Sequence, residues 1–164
     1  NYKGFTMIET LVAIAILMLA IAGPLTIASK GLVAAIYAHD QVIASYLAQD
    51  AMEYVKNVRD NNFISLDNWL TGFDMCVKDD PCSVDTINKE IINCISSCDL
   101  YLYNDGSGYS HILASATKTR FSRTFYITDV NTDKEVTATV LVEWKNGTVT
   151  NSVTFNSQLF NAIR

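Results

Sequence analysis

The chain has 164 residues, 49% of them hydrophobic, with a net charge of -5 and four cysteines. Past residue 30 it carries 10 Lys and Arg against 16 Asp and Glu, a balance that repels phosphate backbones and excludes nucleic acid as a partner without a local basic patch. The length allows one small domain beside an N-terminal stalk. With no G-x-S-x-G, P-loop or H-E-x-x-H motif present, no enzymatic activity, cofactor or metal is expected.

Between Glu9 and Lys30 lie twenty residues without a charge, TLVAIAILMLAIAGPLTIAS, about the length a helix needs to cross the hydrocarbon core of a bilayer. Glu9 sits one turn into the same apolar helix, in GFTMIETLVAIAIL. A carboxylate there is expensive in lipid and calls for a cationic partner. A secretory signal peptide, with Lys3 as its charged start and Ala20-Ile21-Ala22 as a cleavage site, is one alternative, and a plain membrane anchor is another.

The segment GFTMIETLVAIAIL resembles the prepilin signal of the type IV pilin and pseudopilin family. The resemblance implies that Asn1 to Gly4 are a leader, removed by a peptidase after Gly4, and that Phe5 becomes the first mature residue with a methylated amine. It places Glu9 at the family's assembly glutamate and Pro24 near its helix-breaking proline. The amine of Phe5 is then the cation for Glu9 of a neighbouring subunit, and losing one side of such a buried pair typically costs ~3 to 5 kcal/mol. If the cut is not made, Lys3 becomes the nearest candidate partner for Glu9. The implied protein is a structural subunit that waits in the bacterial inner membrane, meets pilus assembly machinery and enters a helical extracellular filament of identical copies. A minor pilin or pseudopilin of a secretion or DNA-uptake machine is an alternative, and a monomeric membrane-anchored binding head is one from another class.

After Lys30 the apolar residues thin into a stripe, Leu32, Ile36, Ile43, Leu47, Tyr54 and Val58, with His39, Asp40, Asp50 and Glu53 elsewhere. That spacing predicts an amphipathic helix over 31–60 continuing an apolar one over 5–30. Proline removes one backbone bond, so a kink or unwound stretch is expected just before Pro24. The helix should stop near Asp60-Asn61-Asn62, whose side chains compete with its backbone.

Residues 61–120 form a cysteine-containing connector with short helical pieces in this reading. SLDNWLTGF makes a turn of helix capped by Gly72. Cys76, Cys82, Cys94 and Cys98 are an even number packed closely in a chain that carries an export signature, which favours two disulfides. Zinc is the alternative, disfavoured because the C-x2-C spacing is missing. A helical INKEIINCISSC favours cross-pairing with Cys76 and Cys82, whereas a helix ending before Cys98 permits local pairs, so connectivity stays open. Asn104 to Gly108 read as a turn, in preference to a calcium site built with Asp99 and Asp105.

Residues 121–164 read as an antiparallel sheet, giving an α+β fold in which the helix covers its apolar face. VTATVLVEW sets Val136, Ala138, Val140, Val142 and Trp144 on one side, and Asn146-Gly147 signals a type I′ hairpin leading to Val149, Val153 and Phe155. The Asn146-Gly147-Thr148 sequon needs no role beyond that turn. Lys118, Arg120 and Arg123, interleaved with Phe121 and Phe125, read as a solvated strand face, and His39 as a solvated histidine. His111 follows a Gly-Ser-Gly-Tyr loop without a nucleophile motif nearby.

Overall fold

A computed structural model describes residues 4–73, 75–94, 98–112, 116–131 and 134–161. Helix α1 runs Met7–Ile64, and strands β1 (Cys82–Asp85), β2 (Glu90–Asn93), β3 (Asp99–Tyr103), β4 (Tyr109–Ser110), β5 (Ala116–Asn131), β6 (Glu135–Asn146) and β7 (Val149–Phe160) follow. The chain divides into two compact units, residues 1–39 and Asp40–Arg164.

In the first unit every described residue is exposed. The unwound stretch expected just before Pro24 is absent, because the helix is continuous through that residue. One missing amide is a local loss of about 3 kcal/mol, and the surrounding Ala, Leu and Ile carry the ladder past it. Thr26 also ties its hydroxyl to the Ala22 carbonyl at 2.8 Å.

In the second unit the rest of α1 packs on an antiparallel sheet, an α+β, pilin-like architecture. The buried helix face is Asp40, Ala44, Leu47, Ala48, Ala51, Met52 and Val55. The predicted stripe is thus rotated: of its members here only Leu47 is fully buried, with Ile43, Tyr54 and Val58 at the margins. Three alanines lie in the covered face because small side chains leave room for Trp69, Phe73, Phe125 and Trp144 of the same core cluster. The helix ends at Ile64, where the Asp67 amide closes on the Asn62 carbonyl at 3.0 Å and Asn62 Nδ2 donates to the Thr71 carbonyl at 2.8 Å. Residues 68–73 form hydrogen-bonded turns instead of the helical turn expected, with Gly72 at φ 88°.

Among the described residues the sheet starts at Cys82, well before the expected residue 121, and has seven strands where three were foreseen. Strand β5 is its axis. One edge pairs with β6 from Phe121 against Trp144 to Asp129 against Val136. The other edge is covered piecewise by the cysteine-containing region. Strand β3 pairs Ala116 to Ser122, the Cys98 carbonyl accepts the Arg123 amide at 3.0 Å, β1 brings Cys82 opposite Phe125, and the Cys76 carbonyl accepts the Ile127 amide at 2.7 Å. Disulfides Cys76–Cys82 and Cys94–Cys98, with Cα separations of 5.0 and 5.4 Å, join neighbouring pieces of this patchwork.

The cysteine pairs are therefore local, and the helix that favoured cross-pairing is absent: Glu90–Asn93 is strand β2, paired with β1. The isoleucines at 87 and 91 imitate a helical spacing. What overrides them is Asp85, whose Oδ1 accepts the Ile87 and Asn88 amides at 3.1 and 2.9 Å and bends the chain into a hairpin. The β6–β7 hairpin forms as foreseen, one residue later. Asn146 pairs with Val149, so the apex is Gly147-Thr148, and Gly147 alone has positive φ, 63°, the sign pattern of a type II′ turn.

Candidate assembly site

The N-terminal candidates follow from how the helix starts. Thr6 is the last residue before α1, and its carbonyl accepts the Glu9 and Thr10 amides at 3.1 and 3.3 Å. Glu9 is therefore the third helical residue behind a threonine, the spacing of a capping box, and its charge favours the positive end of the helix dipole. The T-x-x-E spacing was legible in the sequence but went unread there. Gly4, Phe5, Glu9 and Pro24 are all exposed, Phe5 at 75%. The eighteen-residue apolar window of α1 is 0% buried, and this helix is long and apolar enough to cross a membrane. Leaving so much apolar surface in water is unfavourable by ~25 cal/mol per Å², so the segment is shaped for lipid or protein surroundings.

The basic cluster of the head is the main correction. Arg123 is fully buried in the inward row of β5, between Phe121 and Phe125, and not on a solvated face. Its Nη1 donates to the Leu47 carbonyl at 2.9 Å and to Asp50 Oδ2 at 3.0 Å, and its Nη2 donates to the Val84 carbonyl. Burial pulls the pKa of this guanidinium down, and the Asp50 carboxylate pushes it back up. Arg120 reaches buried Asp40 at 2.9 Å and the Asn146 side chain at 3.1 Å, while Lys118 pairs with Asp99. Asp40, assigned to the polar side of the helix, is only 2% exposed. These cations are matched to carboxylates of the same unit, so they form no free patch for phosphates.

A second polar cluster lies around Asp85. Its carboxylate accepts the Ile87, Asn88 and His111 amides, the Asn88 side chain and the Ser110 hydroxyl. Burial alone pushes this carboxyl up, but the Asn88 amide, Ser110 and His111 outweigh it and hold the pKa at about 2. His111 Nε2 lies 2.7 Å from Ser83 Oγ and its Nδ1 3.0 Å from the Asp99 carbonyl. Burial, followed by the nearby Arg123 charge, lowers its pKa. Serine, histidine and aspartate thus meet without the arrangement of a hydrolase. Asp85 bonds the histidine's backbone and not its ring, and Ser83, 1% exposed, donates its hydroxyl to the Arg123 carbonyl at 2.6 Å. The cluster joins β1, β4 and β5.

The other singled-out residues fall apart as sites. Asp99 binds Lys118, Asn104 accepts the Thr117 hydroxyl at 3.0 Å, and Asp105 accepts the Ser107 amide at 2.9 Å. Among the described residues no group of His, Cys, Asp and Glu is arranged to hold a metal ion. His39 is exposed.

Residues 1–23 match the family model of the prokaryotic N-terminal methylation motif. No curated protein and no solved structure matches the chain. The motif implies prepilin processing and pilus assembly machinery, points to a structural protein and not an enzyme, and is consistent with membrane anchoring. Carrying that motif at the head of a long apolar helix, and a disulfide-bonded α+β head behind it, the chain fits a type IV pilin-like protein.

Proposed function

We propose that this chain is the structural subunit of a type IV pilus-like filament, held in the inner membrane by the apolar part of α1 and then packed with identical copies into an extracellular fibre. The observation that carries the reading is the wholly exposed apolar window with a single carboxylate, Glu9, at its start. In the filament that window is buried by other copies. The cut after Gly4 supplies a Phe5 amine that neutralises Glu9 of a neighbour, which fixes the axial register of successive subunits. Head surfaces form the outer shell.

Electron microscopy of fibres sheared from the source cells, with intact mass of their subunit, tests this directly. Fibres made mainly of this chain, beginning at Phe5 with one added methyl group, are expected. Fibres in which it is a trace component indicate a minor pilin or pseudopilin, and single chains with no polymer indicate an anchored binding head. Glu9→Gln separates charge from capping, because glutamine serves a capping box as well as glutamate does. Filament yield should collapse in Glu9→Gln as in Glu9→Ala, with membrane residence and head folding unchanged. Normal yield from Glu9→Gln refutes the pairing.

A further inference from the structure

The two sides of the sheet end very differently. Away from β7 it finishes in β2 and β4, of four and two residues. Strand β7 is twelve residues long and among the described residues pairs only with β6, so alternate amides and carbonyls along it point away from the sheet. Its sequence, VTNSVTFNSQLF, has no charge and no proline, two of the usual devices that blunt a free edge. Three of its apolar side chains are open to solvent, Val149 at 59%, Phe155 at 37% and Phe160 at 51%.

The order of side chains along β7 indicates what pairs with it. The β6 register puts Val149, Asn151, Val153, Phe155, Ser157 and Leu159 on the core face and Thr150, Ser152, Thr154, Asn156, Gln158 and Phe160 on the other. Along the core face the polarity reads apolar, polar, apolar, apolar, polar, apolar, the same in both directions. An antiparallel copy centred on Thr154 therefore matches like with like. Val149 lies opposite Leu159, Asn151 opposite Ser157 and Val153 opposite Phe155, while Thr150 meets Gln158 and Ser152 meets Asn156 on the outer face. Centring on Phe155 instead sets Val153 against Ser157 and Asn151 against Leu159. Of these two registers only the first is complementary from Val149 to Leu159, with Phe160 beyond its end, and with no charge on β7 it brings no like charges together.

We propose that β7 is a self-association edge, pairing antiparallel and two-fold with β7 of a second copy about Thr154. The contact is isologous, whereas successive subunits of a helical filament meet through unlike surfaces. It is thus separate from, and goes beyond, the filament reading, and joins copies in the membrane pool or in adjacent fibres. Thr154 is exposed and faces away from the core, so charge there disturbs the pair and not the head.

The test uses the full-length chain in detergent micelles, its protein mass read by light scattering and the alternate β7 amides by hydrogen exchange. The wild type should run at twice the mass of Thr154→Lys or Thr154→Glu alone, and its outward amides should lose protection in either variant. Mixing the lysine and glutamate variants should restore the doubled mass, because unlike charges then meet on the axis. A monomeric wild type, a mass unchanged in the single variants, or no recovery in the mixture overturns the proposal. Circular dichroism of each variant confirms that the head remains folded.

Discussion

From Met7 to His39 the helix carries the most apolar sequence of the chain and buries none of it, whereas from Asp40 to Ile64 it is more polar and buries seven residues, Asp40 among them. Burial and hydropathy run in opposite directions along one continuous helix. The second half is covered because three alanines leave room for the large side chains of the core cluster, and because Arg123 ties the sheet to the helix through Leu47 and Asp50. The first half has no such complement among the described residues of its unit. Its apolar surface is matched to something outside the chain, while the covered half is matched to the sheet.

The sharpest way to break that contrast is to remove the charged tie and leave the apolar helix alone. Arg123→Met keeps bulk but removes the charge-assisted hydrogen bonds to the Leu47 and Val84 carbonyls and to Asp50, bonds typically worth ~1.5 to 3 kcal/mol each. The head should lose ~3 kcal/mol or more in denaturant titration, with membrane partitioning of the chain unchanged. An unaltered midpoint would mean that Arg123 contributes nothing net to the head.

A smaller loss is expected on opening the patchwork along β5. Replacing Cys76 and Cys82 together by alanine removes a bridge with a short loop, the low end of the usual range, about 2 kcal/mol. Peptide mapping should first recover Cys76 linked to Cys82 and Cys94 linked to Cys98. Cross-linked peptides would refute the local pairing, and thiols free in native material would refute both bridges.

The gentlest probe is pH. Burial and Arg123 lower the pKa of His111, so its charged form is disfavoured in the folded head, and stability should begin to fall as the pH drops below the ordinary 6.5. Asp85 behaves as a depressed carboxyl: its contribution is present above its ordinary 3.8 and is lost as the pH falls toward about 2. Two steps of destabilisation on acidification are therefore expected in thermal melts of the head. Replacing His111 by glutamine should remove the upper step and leave the lower one.

Much of this was legible in residues. The uncharged run after Glu9, the alternation of Val136 to Trp144 and the Asn-Gly turn signal each depend on local spacing, and the structure has a helix, a strand and a hairpin at those places. The place of Arg123 was half legible, since it occupies an odd position between Phe121 and Phe125 on a strand of period two. Its charge argued for solvent, and only the facing Asp50 and carbonyls of distant segments make burial tolerable. Strands β1 to β4 were mostly illegible, beyond the alternation of Tyr101 and Tyr103, because each is short and β1 and β3 are held in the sheet by the later strand β5. The rotation of the helix was hidden for a related reason: alanine is a weak hydrophobic signal, yet Ala44, Ala48 and Ala51 are buried because the opposing side chains are large.

The sequence by itself thus determined the exposed helix, its terminal carboxylate and the even cysteine set, since each depends on residue type and near-neighbour spacing. The tertiary structure alone decided which helix face is covered, how the cysteines pair and that a cation lies in the core. Those outcomes depend on which remote groups meet, and no local pattern carries that information.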